Sequence, residues 1–452
     1  MILTASLPFQ AEGVRLIEKF GGRALLADSM GLGKSHQFLL WCERNMPEGR
    51  AALVVCPAGL KYNWEAEVRK HTGEASLVLD GMKVSPVPSP PRYVVINYDI
   101  LAPWVPTLKA LDPFVVGLDE CHKVKDPKTI RTKATKHLTN GVKHLIAMSG
   151  TPLEIRPIEL WPVLNMLEPK YWGPHAVFGH LYGGPRKTPW GWKFDGASRL
   201  KELRKRLVER CMIRRRKEDV LEDLPQKMHN SVVLRLPPRA MRDYKLAETD
   251  VAAWLKKHRQ DSDFRANALT RMNVLKQLVA DAKLPQVGDW AEEFLESGEK
   301  LILFCIHRKT VAALAKRFKG CAVVNGGVTG RARQAEYDRF NGDPRCRLLV
   351  GNCKAAGEGW SANSCSSVAF AEYPWNPGLL GQCIDRCYGM NRGQAGVPTS
   401  AYYLTAVGTV EEGVCGKLRD RQKTLDRLLD GVKDHGALSV LDEVIEGLIG
   451  KA

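Results

Sequence analysis

No apolar run in this 452-residue chain approaches the ~20 residues needed to cross a bilayer. The longest, such as Ala51–Cys56 and Val115–Leu118, are far shorter. The opening MILTASLPFQ lacks a basic stretch followed by an apolar one, so no export signal is expected. There are 12 cysteines but no C-x-x-C. The tightest pair, Cys383 and Cys387, has no matching His or Cys pair, which argues against both a zinc framework and a disulfide scaffold. Cys56 and Cys305 sit in apolar, strand-like runs where a thiol acts as a small hydrophobe. Reduced thiols in a cytosolic compartment are the expectation. No internal repeat is visible. With 44% hydrophobic and 26% charged residues, the composition is that of a globular chain long enough for two or three cored domains.

Charge is present in excess and unevenly placed. The net charge is +17, and the segment 121–217 holds 22 Lys and Arg against 7 Asp and Glu, almost the whole surplus. Such a concentration suggests a polyanion partner, most simply nucleic acid, with a solvated basic surface as the plain alternative.

Short apolar runs alternate with helical segments: Arg23–Leu26, Ala51–Val55, Arg92–Ile96, Phe114–Leu118 and Leu145–Met148. That pattern marks a parallel sheet covered on both faces. It restarts near Lys300 with LILFCI, CAVVN, RLLVGN, SVAFAEYPW and SAYYLTA. Between the two lies Arg239–Glu296, rich in Ala, Leu, Arg and Lys and read as helices. Gly183–Pro189 marks an irregular excursion.

The strongest local signal is LLADSMGLGKS, residues 25–35, followed by a helix-compatible run over His36–Cys42. A strand entering a glycine turn before a helix presents backbone N–H groups to phosphates. Lys34 would reach the outer phosphates and Ser35 a magnesium ion. Asp28 stands where the strict phosphate-loop pattern has its first glycine. The second signal is VVGLDECHKVKD, residues 115–126, which ends a strand in two carboxylates. Asp119 suits Mg²⁺ and Glu120 suits polarising an attacking water. Both would meet at the carboxyl edge of one sheet.

LLADSMGLGKS resembles the nucleotide loop of the Swi/Snf-type ATPases of helicase superfamily two, in which an Asp at the position of Asp28 is normal. Further segments resemble that family in order: LPFQAEGVRLIEKFGGR, LVVCPAGLKYNWEAEVRK, YVVINYDIL, Asp119-Glu120-Cys121-His122, MSGTPLEIRPIELWPVLNML, IRRRKEDVLEDLPQK, LILFCIHR, NGGVTGRARQAEYDRF, AAGEGWSAN, AEYPWNPGLLGQCIDR and AYYLTAVGTVEE. The resemblance covers nearly the whole chain and looks closest to the compact, annealing-helicase-like branch.

The resemblance implies an α/β fold of two RecA-like parallel-sheet lobes with a helical connector. The expected divisions are 1–228, 229–297 (connector), 298–430 and a helical tail over 431–452. ATP would lie in the cleft between lobes, contacted by Gln10, Asp28, Met30, Gly31, Leu32, Gly33, Lys34, Ser35 and Gly359. Ser35 and Asp119 would hold Mg²⁺. The catalytic set would be Lys34, Asp119, Glu120, Arg386 and Arg392. The last motif is two residues longer than usual between Gln382 and Gln394, so either arginine is a candidate finger. Nucleic-acid or coupling roles fall to His122, Ser149, Gly150, Thr151, Arg214, Arg215, Arg216, Lys217, Trp375 and Gln382. The implied activity is ATP-dependent translocation by a monomer on double-stranded DNA, forked or branched forms included, with no membrane. The alternatives are a strand-separating DNA or RNA helicase and a non-hydrolysing nucleic-acid scaffold. Nearly every residue is motor, and from size alone the expected source is bacterial or phage and the location cytoplasmic.

Overall fold

The computed structural model describes residues 4–87, 91–153, 156–188, 191–221, 226–261, 263–357, 359–388, 397–418 and 440–450. The chain divides into two compact units, one centred on Met1–Leu224 and one on Pro225–Val328 with Ala335–Asp426. No described helix is long and apolar enough to cross a membrane.

The first unit contains β1 (Arg23–Leu26), β2 (Ala52–Cys56), β3 (Ser76–Val78), β4 (Tyr93–Asn97), β5 (Val115–Asp119), β6 (His144–Met148), a small hairpin of β7 (Arg186–Thr188) and β8 (Gly191–Lys193), and β9 (Met212–Ile213). Apart from the hairpin they form one sheet, ordered β3-β4-β2-β5-β6-β1-β9, with every pair parallel. Alternate residues face opposite ways along a strand. Here both sets are buried: Leu25, Leu53, Val116 and Leu145 on one face, Ala24, Val54, Val115 and Ile146 on the other. That double burial is why the strands read as unbroken apolar runs.

The second unit contains β10 (Lys227–Leu234), β11 (Leu301–Cys305), β12 (Ala322–Val324), β13 (Leu348–Asn352), β14 (Ser367–Phe370) and β15 (Thr399–Ala406). Its order is β10-β15-β14-β11-β13-β12, again all parallel. The segment 229–297, expected as a helical connector, begins inside β10 and continues as helices Pro238–Lys257 and Phe264–Glu296. These helices belong to the second unit because Tyr244, Leu255, Met272 and Leu275 pack into its core. Of the expected tail, Val440–Ile449 is helical and sends Val444, Ile445 and Leu448 into the same core.

Two local devices set the start of one helix. Asn376 caps helix Pro377–Asp385 by accepting from Gly378 N, with Pro377 in the first turn. The Trp-Asn-Pro triplet is therefore, at least in part, a helix start. The cysteines are free thiols, all buried except Cys321, which is half-buried.

Candidate active site

Strand register places the chemistry. Leu26 lies opposite both Met148 and Ile213, and Met148 opposite Asp119. The chain therefore leaves β1, β5, β6 and β9 along one row at the carboxyl edge of the sheet. What leaves there is the loop 27–33, Glu120, Ser149-Gly150-Thr151 and Arg214-Arg215-Arg216.

The loop turns through Gly31 and Gly33, with φ of 83° and 72°, before helix Lys34–Asn45 begins. A side chain at Gly33 would be strained there, and its Cβ would lie 2.5 Å from Gln10 Nε2. Gln10 closes the other side: its amide donates to Leu32 O (3.3 Å) and accepts from Leu7 N (2.9 Å). Lys34 Nζ donates to Asp28 O (2.9 Å) and Ser29 O (3.4 Å), leaving a donor for a phosphate oxygen. Burial lowers the Lys34 pKa, opposed by the charges of Glu120, Asp28 and Asp119.

Asp28 is fully buried and accepts from four donors: Arg215 N and Nε (each 3.0 Å), Arg215 Nη2 (2.5 Å) and Gln37 Nε2 (3.0 Å). Arg215 also bonds Phe9 O and Gln37 Oε1. Arg214 Nη1 donates to Ala27 O (2.9 Å) and Gly150 O (3.4 Å). Arg216 pairs with Asp219, and Lys217 is buried. Arg214 and Arg215 thus brace the glycine loop from within the first unit.

Asp119 is held by Trp64 Nε1 (2.8 Å) and Glu120 N (3.0 Å), while Tyr98 Oη donates to its carbonyl. Glu120 sits at φ 47°, a left-handed conformation costing roughly 1–2 kcal/mol in a residue with a Cβ. Ser149 Oγ donates to Glu120 Oε2 (3.1 Å) and accepts from Thr151 N (3.1 Å). His122 Nδ1 lies 3.1 Å from Ser149 Oγ and 3.2 Å from Glu120 Oε2. Since the serine proton goes to the carboxylate, Nδ1 must carry the imidazole proton. Burial, then the Glu120 charge, pushes the Asp119 carboxyl up. Burial acts on Glu120 too, but the His122 hydrogen bond and the His122 and Lys34 charges outweigh it and hold that carboxyl down. Of the two, the carboxyl expected to polarise water is the one held down.

The loop and the coupling motif touch. A Cβ on Gly150 would lie 2.4 Å from Met30 Cγ and 3.4 Å from Lys34 Nζ. Among the described residues no three His, Cys, Asp or Glu side chains could chelate a metal alone. Ser35 and Asp119 offer oxygen donors of the type that Mg²⁺ takes, one or two from protein with phosphate and water filling the shell.

In the second unit Arg386 is buried, its Nε donating to Gln382 O (3.1 Å) and its Nη1 to Trp360 O. Gly359, at φ 78°, precedes Trp360. Trp375 Nε1 donates to Asn273 (2.9 Å) and its ring lies under Lys276 Nζ (4.4 Å). Arg392 lies outside the described residues. Sequence reasoning passed over Gln37, Trp64 and Tyr98. A tryptophan in the helix that follows β2, near the carboxyl edge, is the signal that could have found one of them.

The SNF2-related domain family matches residues 9–284, and the helicase conserved C-terminal domain matches 286–391. The chain belongs to the SNF2-related family. It is 28% identical over 429 residues to the SWI/SNF-related matrix-associated actin-dependent regulator of chromatin subfamily A-like protein 1 of Xenopus tropicalis, covering 93% of this chain and 44% of that protein. It is 28% identical over 455 residues to the DNA annealing helicase and endonuclease ZRANB3 of Mus musculus, covering 95% and 41%. The chain thus spans less than half the length of these SNF2-related relatives. A Sulfolobus solfataricus SWI2/SNF2 ATPase core in complex with dsDNA aligns over 95% of this chain and 94% of its own, at 23% identity and a TM-score of 0.43.

One expectation is corrected. A cytoplasmic protein of bacterial or phage origin was inferred from size, but these curated relatives are animal proteins, one named as a regulator of chromatin. Length is no guide to source, because the same stretch recurs within chains more than twice as long.

Proposed function

We propose that this chain is an ATP-dependent motor that translocates as a monomer on double-stranded DNA. The observation that carries the reading is the hydrogen-bonded chain from Glu120 through His122 and Ser149 to Thr151, set beside the Lys34 loop at one sheet edge. Lys34 holds the outer phosphates of ATP, and Gln10 reads the base. Ser35 and Asp119 hold Mg²⁺, which when bound neutralises charge on the transferred phosphoryl group. Glu120, kept ionised, orients water and takes its proton. His122 and Ser149 tie the position of Glu120 to the Ser149–Thr151 segment, so a change at the phosphates alters that segment. The SNF2-related membership, and the name of a relative that acts on DNA, support DNA as the track.

The test compares ATP hydrolysis with duplex DNA, single-stranded DNA and duplex RNA. Duplex DNA is expected to stimulate most. Lys34→Ala should abolish hydrolysis and weaken ATP binding, whereas Glu120→Gln should retain ATP without turning it over. Absence of nucleic-acid-stimulated hydrolysis would refute the motor, and preferential stimulation by duplex RNA would refute the track.

A further inference from the structure

The hairpin β7–β8 stands apart from both large sheets. Two strands of three residues are marginal in water, so the hairpin needs a foundation. Close backbone approach supplies it. A Cβ on Gly179 would lie 2.5 Å from the Phe194 ring, and one on Gly184 2.7 Å from Ala197 N. Ser198 Oγ accepts from Gly184 N (3.2 Å) and donates to Leu181 O (2.8 Å), closing the base.

Above that base the hairpin is open. Arg186, Lys187, Trp192 and Lys193 are exposed, Trp192 by 52%. Register sets Arg186 opposite Lys193 and Lys187 opposite Trp192. Like charges facing across a strand pair are destabilising. Asp195, paired with Arg186 at 2.9 Å, is the only acid between Gly183 and Ala197. Trp192 meets His180 edge-on at 4.7 Å, and half of it faces solvent. The base therefore presents an exposed indole that shares its face of the hairpin with Lys187, while Arg186 and Lys193 lie on the other face.

We propose that this hairpin contacts DNA at a single-strand junction, Trp192 stacking on an unpaired base while Lys187, on the same face, holds the neighbouring phosphate. The proposal rests on the duplex-motor reading and adds the feature of the DNA that the motor engages. Aromatic rings flanked by cations are the platforms of single-strand binding, because every base has a π-face. Inside a duplex those faces are covered by neighbouring pairs. The indole finds a free one only where strands part.

The experiment is a fluorescence-anisotropy titration of the full chain with a blunt duplex and a forked duplex of equal length. Trp192→Ala should weaken fork binding about tenfold, within the range for loss of one stacked base. Blunt-duplex binding should change less than about twofold, and Trp192→Phe should recover most of the fork affinity. Equal losses on both DNAs, or none on the fork, would overturn the proposal. If Trp192→Ala melts early, Lys187→Ala keeps the indole in place and carries the same comparison. A fork-selective loss with a flatter salt slope supports the contact, and an unchanged fork affinity overturns it. The two readings fail separately. Wild-type hydrolysis unresponsive to any DNA sinks the motor, while DNA-stimulated hydrolysis without a fork-selective loss in the variants sinks only the hairpin contact. Release of a bound protein instead of DNA by Trp192→Ala would likewise refute it.

Discussion

Arg215→Ala removes the main partner of a fully buried carboxylate. Asp28 accepts three of its four hydrogen bonds from Arg215, two of them from the guanidinium, and the side chains are 0% and 15% exposed. After truncation the carboxylate keeps only the residue-215 backbone N–H and Gln37 Nε2. Losing one partner of a buried ion pair costs roughly 3–5 kcal/mol, most of it the stranded charge. With a urea slope of about 2–3 kcal/mol/M, the midpoint of the first unit should fall by about 1–2.5 M. Tryptophan fluorescence reports on it, since Trp41, Trp64 and Trp104 are buried there. ATP affinity should fall alongside, because Asp28 opens the loop that ends at Lys34. The double variant Asp28→Leu with Arg215→Met should regain much of the loss, since no charge is then stranded. A shift under about 0.3 M in the single variant, or simple additivity in the double, would refute the bracing role.

Ser149→Ala breaks the link to Glu120 and should cut DNA-stimulated turnover about tenfold, the worth of one charge-assisted hydrogen bond. Unstimulated hydrolysis should change much less, and equal losses in both would point to chemistry rather than coupling. Burial lowers the Lys276 pKa to about 8, against the opposing charges of Glu411 and Glu372. The folded state therefore binds fewer protons than the unfolded between that value and the ordinary lysine range. Lys276 subtracts stability at neutral pH, and the deficit is relieved as pH rises through 8. The stability difference between wild type and Lys276→Met should move by about 3 kcal/mol toward wild type between pH 7 and 10.5. Denaturant curves at both pH values check this, and a constant difference contradicts it. Arg386→Ala should lower single-turnover hydrolysis roughly 10³–10⁵-fold with ATP affinity retained, and Arg392→Ala should be milder. A near-normal Arg386→Ala beside an inactive Arg392→Ala would reverse that assignment.

Most of the large sheets was legible from local pattern, because strands buried on both faces need continuous apolar runs. Arg23–Leu26, Leu301–Cys305 and most of the other expected strands stand within a residue or two of expectation, while β14 stops at Phe370, five residues short of the run SVAFAEYPW. The loop at Lys34 and the pair Asp119-Glu120 stand out in the sequence because phosphate and metal chemistry use such residues at fixed short spacings, and strand register brings both to one sheet edge. Strands β9 and β10 escaped because they are edge strands. The first is only two residues long, and the second is largely exposed and has no apolar run to reveal it.

Side-chain destinations were not legible either. Arg214-Arg215-Arg216-Lys217 reads as a basic patch, yet Arg215 turns to a carboxylate 187 positions away and Lys217 is buried. Trp64 reads as ordinary helix core, yet its indole N–H holds Asp119. A linear pattern records what each residue prefers to be near: water, apolar neighbours or opposite charge. Which partner satisfies that preference depends on strand register and order, and these bring Leu26, Asp119, Met148 and Ile213 into one row only when the sheet is assembled.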